Sequence, residues 1–158
     1  MSTRGGSFAV STPMLWVIGC IVVLGSSALT SFVIAEAYKG RVFQDTYFVA
    51  AHAHWAFMLA AVFGFFAGWY YLFPKISGFA CSDLLGKVHF WLSFIGFNTM
   101  LVPQVVILAG TAGRAGDAPD AFRLWNLMSS IGAYVFAAGT LVFFANMALS
   151  FLRRRPAG

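Results

Sequence analysis

Residues 46–64 read TYFVAAHAHWAFMLAAVFG, an apolar run that contains two histidines, His52 and His54. An α-helix advances about 100° per residue, so side chains two residues apart leave nearly opposite sides of the helix. The two imidazoles therefore cannot easily bind one metal ion, but they can serve two separate centres. Because polar side chains are costly inside a membrane, histidines within such a run are candidates for a functional site.

The composition of the whole chain predicts that this run is one of several membrane spans. The 158 residues are 60% hydrophobic and 9% charged, with a mean hydropathy of +0.81. A soluble protein of this size could not bury so much apolar surface. The formal net charge is +5, and the one basic cluster, residues 153–155, is typical of a cytoplasmic anchor. We therefore expect a membrane environment and no nucleic-acid partner.

Four apolar runs are each long enough for a transmembrane helix of about 20 residues. The sequence thus predicts an all-α membrane protein with four transmembrane helices and both termini in the cytoplasm. The second predicted span stops at Pro74, and the third contains Pro103. The predicted spans are residues 14–37, 47–73, 84–108 and 122–152. The predicted organisation is a cytoplasmic segment at 1–12, a four-helix transmembrane domain at 13–152 and a basic cytoplasmic tail at 153–158.

The orientation follows from the basic residues of the loops, since Lys and Arg concentrate on the cytoplasmic side of a membrane. One side carries six of them and the other side carries four. The six are Arg4, Lys75, Lys87, Arg153, Arg154 and Arg155, and the four are Lys39, Arg41, Arg114 and Arg123. This count places both termini inside and the two histidines near the outer end of the second span. The expected location is the inner (cell) membrane of a bacterium, with several passes.

Several blocks of the sequence carry a resemblance to a known family. They are PML at 13–15, DTYFVAAHAH at 45–54, FAGWYYLFPKISG at 66–78, LGKVHFWLSFIGFN at 85–98, PQ at 103–104, PDAF at 119–122 and WNLMSSIG at 125–132. From Pro13 to about Phe144 the chain resembles the C-terminal third of subunit I of haem-copper cytochrome c oxidases. The resemblance implies the last four of that subunit's twelve helices.

The resemblance also implies roles for the histidine pair. His52 corresponds to the axial ligand of the high-spin haem, where oxygen reacts, and His54 to one of two axial ligands of the low-spin haem. The implied cofactor is haem, with haem A as its type, and copper enters only through a partner chain that carries the earlier helices. The implied electron donor is a cytochrome or a quinol, and the implied process is aerobic respiration.

The chain departs from the family's pattern on the outer side. Where the family has an aromatic residue, a histidine, an arginine and a histidine, this chain has Ala53, Gln44, Gly113 and Val105. Arg114 remains as a candidate contact for a haem propionate, because arginine binds carboxylates in bidentate fashion, but it also suits a solvated loop. Asp45 is either a weak candidate ligand for magnesium or the N-cap of the second span.

Three functions stay open at the level of sequence. The first is a partial or split subunit I of a terminal oxidase, which is an enzyme only within the complex. The second is a non-catalytic haem-binding or assembly membrane protein derived from that subunit, and the third is a degenerate paralogue without a cofactor. The third histidine, His89, is predicted to be structural and to reach water near the inner end of its span. Ser129, Ser130 and Gly132 are expected to permit close helix contact.

Overall fold

The computed structural model describes residues 10–37, 47–111 and 123–153, with side chains at 10–32, 57–103 and 123–153. These residues form four α-helices and no strand. The helices are α1 (Thr12–Ala37), α2 (Tyr47–Ser77), α3 (Asp83–Thr111) and α4 (Arg123–Arg153). The predicted all-helical fold with four helices is therefore confirmed.

Three of the helices are long and apolar enough, by length and composition, to cross a membrane. The qualifying segments among the described residues are Thr12–Phe32, Phe57–Ser77 and Arg123–Arg153. Helix α3 has 29 residues, which at 1.5 Å per residue is about 43 Å of helix. Its first two turns carry three polar side chains, Asp83, Lys87 and His89. Length and composition thus support three of the four predicted transmembrane spans.

The prediction that α2 stops at Pro74 is wrong, since the helix continues to Ser77. A proline inside a helix removes one backbone hydrogen bond, but it does not forbid the following turn. The true end is set by Gly78, which adopts a left-handed φ of 72°. Its N–H donates to the carbonyl of Pro74 at 3.0 Å, and the Ser77 hydroxyl donates to the carbonyl of Phe73 at 2.7 Å. This is the usual glycine termination of a helix.

Helices α3 and α4 approach each other closely because glycines face each other across their contact. A Cβ added at Gly132 would lie 2.5 Å from the backbone nitrogen of Met100 and 2.6 Å from the carbonyl oxygen of Gly96. Nearby, the Ser129 hydroxyl donates to the carbonyl of Met100 at 3.0 Å. Small residues at membrane helix contacts allow the backbones to come together. The predicted close contact at Ser129 and Gly132 is confirmed.

The core of the bundle is aromatic, and Trp16 of α1 lies at its centre. The Trp16 side chain is completely buried. Its ring lies 5.0 Å from that of Phe63 and 5.3 Å from that of Phe90, centroid to centroid. These edge-on contacts join α1 to α2 and to α3, because quadrupolar rings favour such tilted pairs.

Candidate functional site

Helix α2 contains both residues of the predicted ligand pair, His52 and His54. Their side chains lie outside the described ones, but the helical backbone fixes their registers. Around the helix axis, the side chains at positions 59 and 63 point within about 20° of the direction of position 52. Those at positions 61 and 65 point within about 20° of the direction of position 54. The two registers therefore continue into different faces of the same helix.

Those two faces meet different surroundings in the described part of α2. On the register of His52, Leu59 is 4% exposed and Phe63 is fully buried, so this face looks into the four-helix unit. On the register of His54, Phe65 is 58% exposed, and Met58, one turn beyond His54, is 54% exposed. This face looks away from the other three helices. The helical backbone thus places the two histidines on different faces of α2, as binding to two separate cofactors would require.

The remaining predicted site residues, Asp45 and Arg114, lie outside the described residues. The magnesium and N-cap hypotheses for Asp45, and the propionate hypothesis for Arg114, stay predictions. Within the described ranges no group of three or more His, Cys, Asp or Glu side chains could hold a metal ion. This part of the chain therefore contains no copper-type cluster of ligands.

The third histidine belongs to a polar cluster at the opposite end of the bundle. His89 is fully buried, so the prediction that it reaches water is wrong. Its Nδ1 lies 3.0 Å from the Tyr70 hydroxyl, and its Nε2 has no hydrogen-bond partner. The ring packs against Trp16 at 4.7 Å and Phe66 at 4.6 Å, centroid to centroid. Tyr70 and His89 lie at similar depth because they are nearly the same number of residues away from the short turn that joins α2 and α3. This spacing is the sequence signal that could have indicated their contact.

A second polar contact holds the α2–α3 turn to α4. The Asn146 side chain is fully buried. It accepts a hydrogen bond from the backbone N–H of Ser82 at 3.0 Å and donates to the Ser82 carbonyl at 3.1 Å. This contact could not be predicted from the sequence, because the two residues are 64 positions apart. Buried amides that satisfy backbone groups in this way fix the register of neighbouring elements.

The start of α1 is capped by a residue of α3. One carboxylate oxygen of Asp83 accepts from the Thr12 backbone N–H at 3.1 Å and from its hydroxyl at 2.8 Å. The other oxygen of Asp83 lies 2.6 Å from the Lys87 ammonium. Burial works to raise the pKa of Asp83, but the hydrogen bonds from Lys87 and Thr12 outweigh it and hold the pKa below its ordinary value. Asp83 thus ties α1 to α3 as a carboxylate.

We expect Asp83→Ala to lower the free energy of unfolding by about 1 kcal/mol, the usual cost of a lost N-cap. Because folding lowers the pKa of Asp83, its contribution is complete above the ordinary aspartate pKa and is lost as pH falls through the lower folded value. Thermal unfolding in detergent, measured from neutral to acid pH, checks this. Asp83→Asn is the matched control, since it keeps an acceptor for Thr12 but has no carboxylate to titrate. An unchanged acid profile in Asp83→Asn would contradict the assignment.

The fold and the site define a class: a helical protein of the membrane type whose second helix carries two histidines on opposite faces. The chain matches, over residues 1–135, the family model described as Cytochrome C and Quinol oxidase polypeptide I. It is also 41% identical over 140 residues to cytochrome c oxidase subunit 1 of Cereibacter sphaeroides, an alignment that covers 88% of this chain. The chain belongs to the cytochrome c and quinol oxidase polypeptide I family, which confirms the predicted resemblance.

The match covers 25% of the length of the Cereibacter sphaeroides protein. The chain thus spans about a quarter of the curated relative that it matches, rather than the third that the resemblance suggested.

Proposed function

We propose that this chain contributes four transmembrane helices to subunit I of a haem-copper terminal oxidase, and that α2 presents the haem ligands His52 and His54. The observation that carries the proposal is the pair of registers on α2, one facing the bundle and one facing outward. The family membership adds to it. The proposed reaction of the complex is the reduction of oxygen to water with electrons from a cytochrome or a quinol.

The two histidines have different roles in this proposal. His52 would hold the iron of the haem at the oxygen site, and His54 would hold the iron of the haem that receives electrons. When bound, the haems would supply redox-active iron for electron transfer and oxygen reduction. A neutral imidazole binds iron through one ring nitrogen, while its other N–H requires an acceptor that fixes the ring.

The copper centre is proposed to lie in polypeptide outside these 158 residues. The sequence contains three histidines, two of which are assigned to haem. His89 lies near the opposite end of the bundle, about 30 Å from His52 along the axis of α2 at 1.5 Å per residue. The proposal therefore requires a polypeptide that carries the earlier helices, the copper ligands and the second axial ligand of the His54 haem.

The proposed orientation places both termini in the cytoplasm. The contacts between Thr12 and Asp83 and between Ser82 and Asn146 bring the start of α1, the α2–α3 turn and the end of α4 to one end of the bundle. Lys75, Lys87 and Arg153 lie at this end. An excess of basic residues supports its assignment to the cytoplasmic side. In this orientation α3 also crosses the membrane.

Haem spectra of the complex test the proposal. His54→Ala should remove the low-spin species preferentially, because the iron loses one of its two axial ligands. His52→Ala should remove the high-spin species preferentially. Optical and electron paramagnetic resonance spectra of the complex, purified with the completing polypeptide, distinguish the two losses.

His89→Gln is the control for this experiment. It removes the only other histidine of the chain, at a site far from both proposed ligands, and it should leave both spectral species in the protein that assembles. If His52→Ala and His54→Ala both retain the wild-type spectrum, neither residue is a ligand and the proposal fails.

A further inference from the structure

Three buried polar atoms in the core of the bundle have no hydrogen-bond partner among the described residues. They are Nε1 of Trp16, Nε2 of His89 and Oγ of Ser93. Trp16 and His89 are 0% exposed, and Ser93 is 1% exposed. Because a buried polar group without a hydrogen bond is costly, such groups are rare in folded proteins and each requires an explanation.

The three residues form one cluster, the Trp16–His89–Ser93 cluster, where α1 meets α3. The rings of Trp16 and His89 are in contact, with centroids 4.7 Å apart. Ser93 follows His89 by four residues, so the two side chains lie on the same face of α3. Side chains of an α-helix lean toward its N-terminus, and Ser93 therefore leans toward the turn that carries His89. The unpartnered atoms thus belong to one region of the core.

Helix α4 covers this cluster. The Phe143 ring lies 5.3 Å from the His89 ring, centroid to centroid. One turn earlier, a Cβ added at Gly139 would lie 2.9 Å from the Ser93 hydroxyl oxygen, so the bare backbone of α4 passes over that hydroxyl. Because the three residues are at most 1% exposed, a large group from outside the chain has no access to their unpartnered atoms.

Ser93 uses its hydroxyl differently from other serines of these helices. The hydroxyls of Ser77, Ser130 and Ser150 each donate to the carbonyl four residues earlier, at 2.7–3.0 Å. This local bond is a common solution for a serine within a helix. The corresponding acceptor for Ser93 is the carbonyl of His89, but the Ser93 hydroxyl makes no bond to it. An additional partner in the core would satisfy this hydroxyl.

We infer that one enclosed water molecule is bound between Nε2 of His89 and Oγ of Ser93, beside the indole of Trp16. A water donates and accepts, so it satisfies the serine hydroxyl and also Nε2 in either tautomer of a neutral imidazole. The indole N–H of Trp16 is the third group of the site, and a buried water typically makes about three hydrogen bonds. This single water is distinct from the solvent, which does not reach the ring.

The surroundings of the cluster favour a small neutral ligand. The other nitrogen of His89 is already occupied by the Tyr70 hydroxyl, and the ring also packs on Phe66. The two charged residues of α3, Asp83 and Lys87, are paired with each other. An ion would lack a counter-charge among these groups and would be costly to bury, whereas water is neutral.

Solid-state NMR of the full chain in lipid bilayers tests the site. With isotope-labelled histidine, magnetisation should pass from water protons to the His89 ring, whose signals are identified by their loss in His89→Gln. Ser93→Ala removes one partner of the water and should weaken this transfer at least about fivefold, because one hydrogen bond is lost. Ser130→Ala is the matched control, since that hydroxyl bonds within its own helix, and it should leave the transfer unchanged.

Two results would overturn the inference. The first is the absence of transfer from water to the His89 ring in the wild-type chain. The second is equal transfer in the wild type and in Ser93→Ala, because the water would then be held without Ser93. Circular dichroism should show the same helix content in both serine variants, so that a weaker signal reports the site and not unfolding. Neither result bears on His52 or His54, so this inference and the proposed function fail separately.

Discussion

Gly132→Ala is expected to lower the free energy of unfolding by about 3 kcal/mol, at the upper end of the usual cost of overpacking. The added methyl group would lie 2.5 Å from the Met100 nitrogen and 2.6 Å from the Gly96 oxygen. Both atoms belong to the backbone, so no side-chain rotation can relieve the contact. Helices α3 and α4 must move apart along the interface where their glycines face each other.

Thermal unfolding in detergent, followed by circular dichroism, measures this loss. At about 2–4 °C per kcal/mol for a chain of this size, the midpoint should fall by roughly 10 °C. Gly25→Ala makes the same chemical change at an open position of α1 and should not lower the midpoint, since alanine is the better helix former. A Gly132→Ala midpoint equal to that of Gly25→Ala would show that α3 and α4 do not meet as described.

The isolated 158-residue chain is expected to show no oxygen uptake above background. The resemblance implies six histidines for oxygen reduction: one for the high-spin haem, three for copper and two for the low-spin haem. The sequence contains three, His52, His54 and His89. A dimer does not complete the set, because each copy repeats the same pair and adds no copper-type cluster within the described residues.

An oxygen electrode, with copper measured by atomic absorption, checks this ligand count. The same preparation assembled with the completing polypeptide is the positive control and should consume oxygen with an added electron donor. Stoichiometric copper together with oxygen uptake by the isolated chain would contradict the count. It would also remove the need for a completing polypeptide.

Much of the helical framework could be predicted from the sequence, because it depends on local properties. The predicted spans at 14–37, 84–108 and 122–152 differ from α1, α3 and α4 by three residues or fewer at each end. The predicted end of α2 differs from the observed end by four residues, because Gly78 and not Pro74 ends the helix.

The contacts between helices could not be predicted in the same way. A globular surface helix shows its inner face by alternating apolar and polar sides, but a helix that is apolar all round gives no such signal. For that reason the complete burial of Trp16 could not be predicted from the sequence. For the same reason His89 was expected near water and instead bonds to Tyr70 within the core.

The sequence by itself determined that the chain is helical and strongly apolar, that α2 carries two histidines on opposite sides, and that a small residue at 132 allows close packing. These features follow from composition and from the fixed 100° step of the helix. The tertiary structure alone decided that the register of His52 faces the bundle and that of His54 faces away from the other three helices. Only the tertiary structure decided that Asp83 caps α1 from 71 residues away. The physical reason is that helix geometry is local, whereas the choice of facing sides depends on how all four helices pack together.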